Sequence, residues 1–302
     1  MRPVPAPPVD LAGLHGIWGQ PYIDLAPLLD TAPLAPIDDE ICLGLTRVAT
    51  SYTGGSLKWM GVVAPSVQRD PYADAMHVIA GFSRDELARF VSLSDTPRPA
   101  AEEVDLDPLA DAAFGDETDH PLSKRQMLYL KYRYGVYFPW KVVYHLLDNV
   151  WWEDKNSGAG KSFHREACEV FPRTIDFLRR LPLKEIGRAV LFGLEANDHA
   201  PLHRDTTPGS RAEAEHSITI CPRQDKRFFL AGQDLTTRVH IDTPLYWFND
   251  MDWHGVEPDP YFRYSIRVDG VFDPTFVEDL RSRYETQGHA KPPREMIIHG
   301  FS

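Results

Sequence analysis

Between residues 187 and 272 the chain consists of short β-branched and aromatic runs, set roughly ten residues apart with polar turns between them. The runs are GRAVLFGLEA (187–196), HSITICP (216–222), KRFFLAG (226–232), TTRVHID (236–242), LYWFND (245–250) and FRYSIRVDGVF (262–272). Regular short strands of this kind predict an antiparallel sandwich or barrel. The flanks differ in texture. Residues 122–181 read as mainly helical, in the pieces PLSKRQMLYLKYRYG, FPWKVVYHLLDN and HREACEVFPRTIDFLRRL, with Pro172 breaking or restarting the last. PTFVEDLRSRY, after the final run, predicts a closing amphipathic helix.

Upstream, SLKWMGVVA (56–64) and HVIAGF (77–82) have strand composition, and Ser83 followed by Asp85 and Glu86 predicts a helix start. Residues 1–40 hold many of the 26 prolines and little periodicity, so they read as an extended arm on the body. No internal repeat is visible. The expected organisation is one catalytic domain over 41–302, with helical support at about 83–181 and a β-core at about 187–275.

Charge then narrows the function. With 32 Lys and Arg against 44 Asp and Glu, the net charge is −12. That balance argues against a nucleic-acid partner bound through its phosphates and against an anionic membrane surface. No run reaches the ~18 apolar residues of a membrane span. The proline-rich start lacks the apolar segment of a signal peptide. Cys42, Cys168 and Cys221 are few and far apart, as expected of buried small residues in a reducing cytoplasm. The stretch 96–120 is strongly acidic and loop-like, with no basic residue between Arg98 and Lys124, and reads as a solvated loop long enough to serve as a lid. GAGKS (158–162) looks like the end of a phosphate-binding loop, but Lys155 stands where that motif needs its first glycine.

The chemistry lies in His203-Arg204-Asp205 and Trp253-His254. In extended chain, positions i and i+2 point the same way, so His203 and Asp205 converge while Arg204 faces away. With His254, read as ending a second strand, LYWFND, after a tight polar turn, they give two imidazoles and one carboxylate, which leaves three open positions on an octahedral metal. That arrangement is associated with non-haem Fe(II) oxygenases. Nine residues beyond His254 comes Arg263, and by alternation Arg263, Ser265 and Arg267 share one face of a strand. Arginine beside a metal suits the distal carboxylate of a dicarboxylate co-substrate, with Ser265 adding a hydrogen bond. Arg267 reads as a second anchor or a substrate contact. Asp198 and His199 lie in the same loop as the HxD pair. Asn249 and Asp250 shape the turn before His254, His240 reads as a sheet-face or turn residue, and Trp247 and Phe248 read as sheet residues, one inside and one out. Trp151 and Trp152 read as packing residues.

PLHRDT, HSITICP, LYWFNDMDWHGVE and FRYSIRVDG, in that order, resemble the iron(II)/2-oxoglutarate-dependent dioxygenases, and within them the aspartyl/asparaginyl β-hydroxylase-like group. The likeness covers about 187–275. It implies a double-stranded β-helix (jelly roll, cupin-like) with N-terminal helices packed against it, an α+β arrangement with a mainly β core. It also implies His203, Asp205 and His254 as Fe(II) ligands, Arg263 as the 2-oxoglutarate anchor and His216 as a further co-substrate contact. Members of the group that hydroxylate Asp or Asn lack the carboxylate. Its presence here as Asp205 points toward the small-molecule and amino-acid hydroxylases and away from halogenation, which needs that position vacated.

The expected activity is hydroxylation of an unactivated C–H bond in an amino acid, free or within a peptide. 2-Oxoglutarate and O2 would be co-substrates, with succinate and CO2 as co-products. The helical half and the acidic loop offer a surface for a basic or neutral peptide. Two rivals remain at this stage: a non-catalytic jelly-roll binding protein, and a cupin-type metalloenzyme without 2-oxoglutarate. The first would be expected to lose one of His203, Asp205, His254 or Arg263, and the second has no use for Arg263.

Overall fold

A computed structural model describes residues 13–50, 75–94, 123–136, 140–148, 154–205, 214–223 and 227–286. The acidic stretch 96–120, the run 56–64 and Trp151 and Trp152 lie outside the described residues.

The β-rich half folds as two facing antiparallel sheets. Six strands form the larger sheet: β1 (Tyr22–Asp24), β2 (Val142–His145), β3 (Leu183–Leu194), β5 (Ser217–Ile220), β8 (Leu245–Phe248) and β10 (Arg263–Phe272), in the order β1-β8-β5-β10-β3-β2. Four form the smaller one: β4 (Ala200–His203), β6 (Phe228–Ala231), β7 (Arg238–His240) and β9 (Trp253–Val256), in the order β4-β9-β6-β7. From β3 to β10 the chain steps between the two sheets, which closes a sandwich with interleaved connections. Each of the six predicted runs contains a strand.

The alternation of β10 sorts its side chains. Tyr264, Ile266 and Val268 face outward into a core shared with Ile37 and Ile41 of α1 (Leu34–Gly44), Ala167 of α5 (Arg165–Val170) and Ile175 and Leu178 of α6 (Pro172–Leu178). Leu280 and Tyr284 of α7 (Pro274–Thr286) join the same core. Arg263, Ser265, Arg267 and Asp269 face inward, the side on which Leu194, Cys221, Phe228, Leu230, Tyr246, Phe248 and Val256 fill the space between the sheets. Trp247 and Phe248 divide as predicted, one on the outer core and one inside. At its C-terminal end β10 is irregular. A Cβ on Gly270 would run into the Glu185 carbonyl, so glycine lets the two strands close across the register shift.

Helix signals held where caps were present. Ser83 and Glu86 form a reciprocal capping box at the start of α3 (Arg84–Ser92), and Ser123 and Gln126 form another on α4 (Lys124–Tyr134), which ends at Gly135 in the left-handed region (φ 67°). Pro172 separates α5 from α6. The second of these has no capping side chain of its own, and the Glu40 carboxylate of α1 accepts from the backbone N–H groups of Arg173 and Thr174 in its place.

Four local expectations are corrected. HVIAGF contributes to a helix, α2 (Ala75–Ala80), not a strand. KVVYHLL contributes β2, because its β-branched Val142 and Val143 find the free edge of β3. Residues 22–24 are not plain arm but β1, antiparallel to β8, and α1 begins at Leu34, before the predicted boundary at 40. Finally, His254 does not end the LYWFND strand but sits in a strand of its own, β9. Among the described residues no helix is long and apolar enough to cross a membrane.

Candidate metal centre

His203 and His254 are direct partners across the β4–β9 ladder, and their rings lie 4.4 Å apart, centroid to centroid. Just past β4 the Asp205 N–H bonds the Asp250 carbonyl at 3.2 Å, which turns the Asp205 carboxylate back toward the rings. Its Oδ1 stands 3.6 Å from His203 Nε2 and 3.4 Å from His254 Nε2. Arg204, between the two ligand candidates, points the other way and lies over the Trp253 ring at 4.6 Å. The i, i+2 geometry is as predicted.

The tautomers follow from the other ring nitrogens. His203 Nδ1 is 2.6 Å from the Pro201 carbonyl, and His254 Nδ1 is 2.9 Å from the Asp252 carbonyl. A carbonyl only accepts, so each Nδ1 carries the proton and each Nε2 presents a lone pair inward. Burial, with His254 alongside, pushes His203 down to about 4, so it is neutral at pH 7. Burial also works against the charge of Asp205, but the groups around it, the Arg267 guanidinium among them, outweigh it and hold the carboxyl well below its usual range. Two imidazole Nε2 atoms and one carboxylate oxygen thus meet at a point, all within 4.8 Å of one another. That donor set fits a borderline divalent cation such as Fe(II).

Around this centre the inward face of β10 carries the remaining candidates. Arg267 reaches three carboxylates with three different nitrogens: Nη1 to Asp205 Oδ2 (2.5 Å), Nη2 to Asp250 Oδ2 (3.3 Å) and Nε to Asp269 Oδ1 (3.0 Å). Its guanidinium is therefore taken up by the protein. Arg263 lies four residues away along the strand, opposite Leu194 and only 2% exposed, with Nη2 3.5 Å from Cys221 Sγ. Ser265, between them, is buried opposite Phe192.

His216 is not brought to this face. Its Nδ1 accepts the Phe272 N–H at 3.0 Å, and its ring stacks on Phe272 at 4.6 Å and meets Trp247 edge-on. Phe272 and Trp247 belong to the outer core, so strand alternation puts His216 on the far side of the sheet from Asp205. The expected contact with a co-substrate between the sheets is corrected on that ground. His240, as expected, is a sheet-surface residue, 3.2 Å from Glu257. Asp198 pairs with Lys141 at 2.6 Å.

No protein-family model and no curated protein matches the sequence. The fold does resemble solved structures. An oxidoreductase of the 2OG-Fe(II) oxygenase family from Burkholderia pseudomallei aligns at 12% identity over 42% of this chain and 66% of its own, with a TM-score of 0.27. A prolyl-4-hydroxylase from Pseudomonas putida aligns at 14% identity over 36% of this chain and 69% of its own, TM-score 0.25. A prolyl hydroxylase from Trichoplax adhaerens, in complex with a hypoxia inducible factor peptide fragment, aligns at 12% identity over 46% and 74%, TM-score 0.24. All three are oxygenases or hydroxylases. The aspartyl/asparaginyl β-hydroxylase-like group is not represented among them, and the overlaps are too slight to add to the side-chain geometry.

Several residues that shape the centre carry no local motif. Asp269 is fully buried and bonds Arg188 Nε on β3 at 2.7 Å. Lys155 pairs with Glu215 and lies 3.7 Å from Asp250, and burial, with Arg267 and Arg188 nearby, brings its ammonium down to about 7. Asp252, two residues before His254, accepts the backbone N–H groups of His15 (2.5 Å) and Gly16 (2.8 Å), while Asn249 Nδ2 donates to the Gly16 carbonyl at 3.1 Å. The start of the chain is thereby strapped to the turn that delivers His254. Burial raises the Asp252 carboxyl to about 6 despite those two donors.

Proposed function

We propose that the protein is an Fe(II)- and 2-oxoglutarate-dependent oxygenase that hydroxylates an unactivated C–H bond of an amino acid, free or within a peptide. The observation that carries this reading is the convergence of His203 Nε2, His254 Nε2 and Asp205 Oδ1, with both Nδ1 atoms protonated against backbone carbonyls. Bound by these three, iron would supply the redox chemistry that couples O2 reduction and 2-oxoglutarate decarboxylation to hydroxylation, with succinate and CO2 as co-products.

The chain's own residues do the rest. The Pro201 and Asp252 carbonyls fix the rings of His203 and His254, and burial keeps His203 neutral at pH 7. Asp205 offsets one unit of the cation's charge. Arg263, on the same inward face of β10, is the group we assign to the distal carboxylate of 2-oxoglutarate, since a guanidinium matches a carboxylate with two parallel hydrogen bonds. Ser265 is assigned a supporting hydrogen bond to the same co-substrate. The apolar lining of Phe228, Tyr246 and Phe248 keeps water from the space between the sheets.

Anaerobic addition of Fe(II) and 2-oxoglutarate is expected to produce a weak visible charge-transfer band, and air is expected to discharge it with release of succinate. A protein that binds Fe(II) yet shows neither band nor succinate would be a metalloenzyme of another type, or a binding protein. Arg263→Met is expected to keep Fe(II) affinity while raising the KM for 2-oxoglutarate roughly 100-fold, the loss of two charge-assisted bonds. An unchanged KM would remove Arg263 from the anchoring role.

A further inference from the structure

We infer that Arg267 is a positioning residue for the metal: it holds Oδ2 of Asp205 from the opposite sheet, so that Asp205 offers the cation one oxygen, Oδ1, and no other. This rests on the metal-binding reading above.

The three candidate ligands are not held in the same way. Both imidazoles are fixed within two residues of their own position, His203 by the Pro201 carbonyl and His254 by the Asp252 carbonyl. Asp205 has no such tether on its side chain. It follows the end of β4, in the four-stranded sheet, and its second oxygen is gripped by Arg267 of β10, in the six-stranded sheet. A carboxylate free to rotate can chelate with both oxygens or swing away, and either change alters the number of open positions. With Oδ2 engaged at 2.5 Å and Oδ1 turned toward both Nε2 atoms, only one oxygen faces the centre.

Arg267 is in turn held rigidly. Asp250 takes Nη2, and Asp269 takes Nε while bonding Arg188 of β3 through its other oxygen. Three of the guanidinium's nitrogens are thus aimed by three carboxylates, an arrangement that a lysine, with its single ammonium on a flexible stem, cannot reproduce. The same saturation is why Arg263, and not Arg267, is assigned to the co-substrate.

A positioning role and a purely electrostatic role predict opposite signs. Deleting a positive charge beside a cation site would tighten metal binding by Coulomb attraction alone. Deleting a group that orients a ligand weakens it, typically by roughly 10- to 100-fold. The test is titration of the full-length protein with Co(II), without 2-oxoglutarate, read by visible absorption and equilibrium dialysis. Arg267→Met is expected to bind Co(II) roughly 10- to 100-fold more weakly than wild type with altered d–d bands. Arg267→Lys, which keeps the charge, is expected to stay weak and altered, and it decides the matter if the Met variant does not fold.

Co(II) binding equal to or tighter than wild type in a folded Arg267 variant, with unchanged bands, would overturn the positioning role alone. A wild-type protein that gives no Co(II) spectrum would overturn the metal centre itself, and the inference with it. Co(II) binding that responds as expected in a protein inert toward 2-oxoglutarate would support the positioning role and sink only the oxygenase assignment.

Discussion

Asp205→Ala is expected to lower 2-oxoglutarate-dependent succinate formation to below about 1% of wild type. Partners that merely orient a metal ligand are worth roughly 10- to 100-fold in affinity or activity, so loss of a ligand itself must exceed that range. The alanine removes the only anionic donor of the three and leaves two imidazoles, a weaker set for a divalent cation in a site arranged around three donors. The fold should tolerate the change. Arg267 loses one of three carboxylates and keeps Asp250 and Asp269, so the cost in stability is about 1–3 kcal/mol, that of one buried charged hydrogen bond. Metal content after dialysis and the thermal unfolding midpoint, measured on the same preparation, separate the two effects. Stoichiometric iron and appreciable turnover in the alanine variant would exclude Asp205 as a ligand.

The largest effect on stability is expected from Asp269→Leu. Asp269 has no exposed surface and neutralises Arg188, itself 2% exposed, while also fixing Arg267. Removing one partner of such a pair leaves an uncompensated buried charge, at a cost of about 3–5 kcal/mol. For a chain of this size that is a fall in midpoint on the order of 10 °C. The double variant Arg188→Leu/Asp269→Leu should recover most of the loss, because the cost lies in the orphaned charge and not in the missing attraction.

The pH dependence has a definite sign. Burial disfavours the Asp269 anion, yet Arg188 and Arg267 hold its carboxyl below the ordinary value. A depressed folded-state value contributes stability above the unfolded-state pKa, lost as pH falls through the folded one. The stability gap between wild type and Asp269→Leu should therefore be full at neutral pH and narrow in acid, below about pH 4. Denaturant titration at several pH values measures it, and a gap that widens in acid would contradict the assignment.

The same buried cluster marks where sequence reading stops. Strands β3, β5, β6, β7, β8 and β10 are legible because alternation and β-branched composition are local properties, and His203 and Asp205 because extended-chain geometry places i and i+2 together. The Arg188–Asp269 pair spans 81 positions and leaves no spacing signal. Asp250 reads as a turn residue, which it is, but its bond to Arg267 depends on how the two sheets face each other. The co-substrate contact of His216 is implied by the resemblance alone, whereas the side of the strand that it takes is set by the register with its neighbours. The strand β2 hid in a run of helix-compatible residues, and only the open edge of β3 draws Val142 and Val143 into a sheet.

The strap at the chain's start carries a consequence for how the centre is assembled in time. Gly16 bonds Asp252 across 236 positions, and β1 pairs with β8 across a similar gap. Contacts so distant in sequence form late, because the loop they close must be ordered before they contribute anything. During synthesis residues 15–24 emerge long before β8 and the turn at 249–252 that they pair with. β1 is therefore among the last of the described strands to find its neighbour, and the turn that presents His254 is clamped only when residues 15 and 16 have reached it.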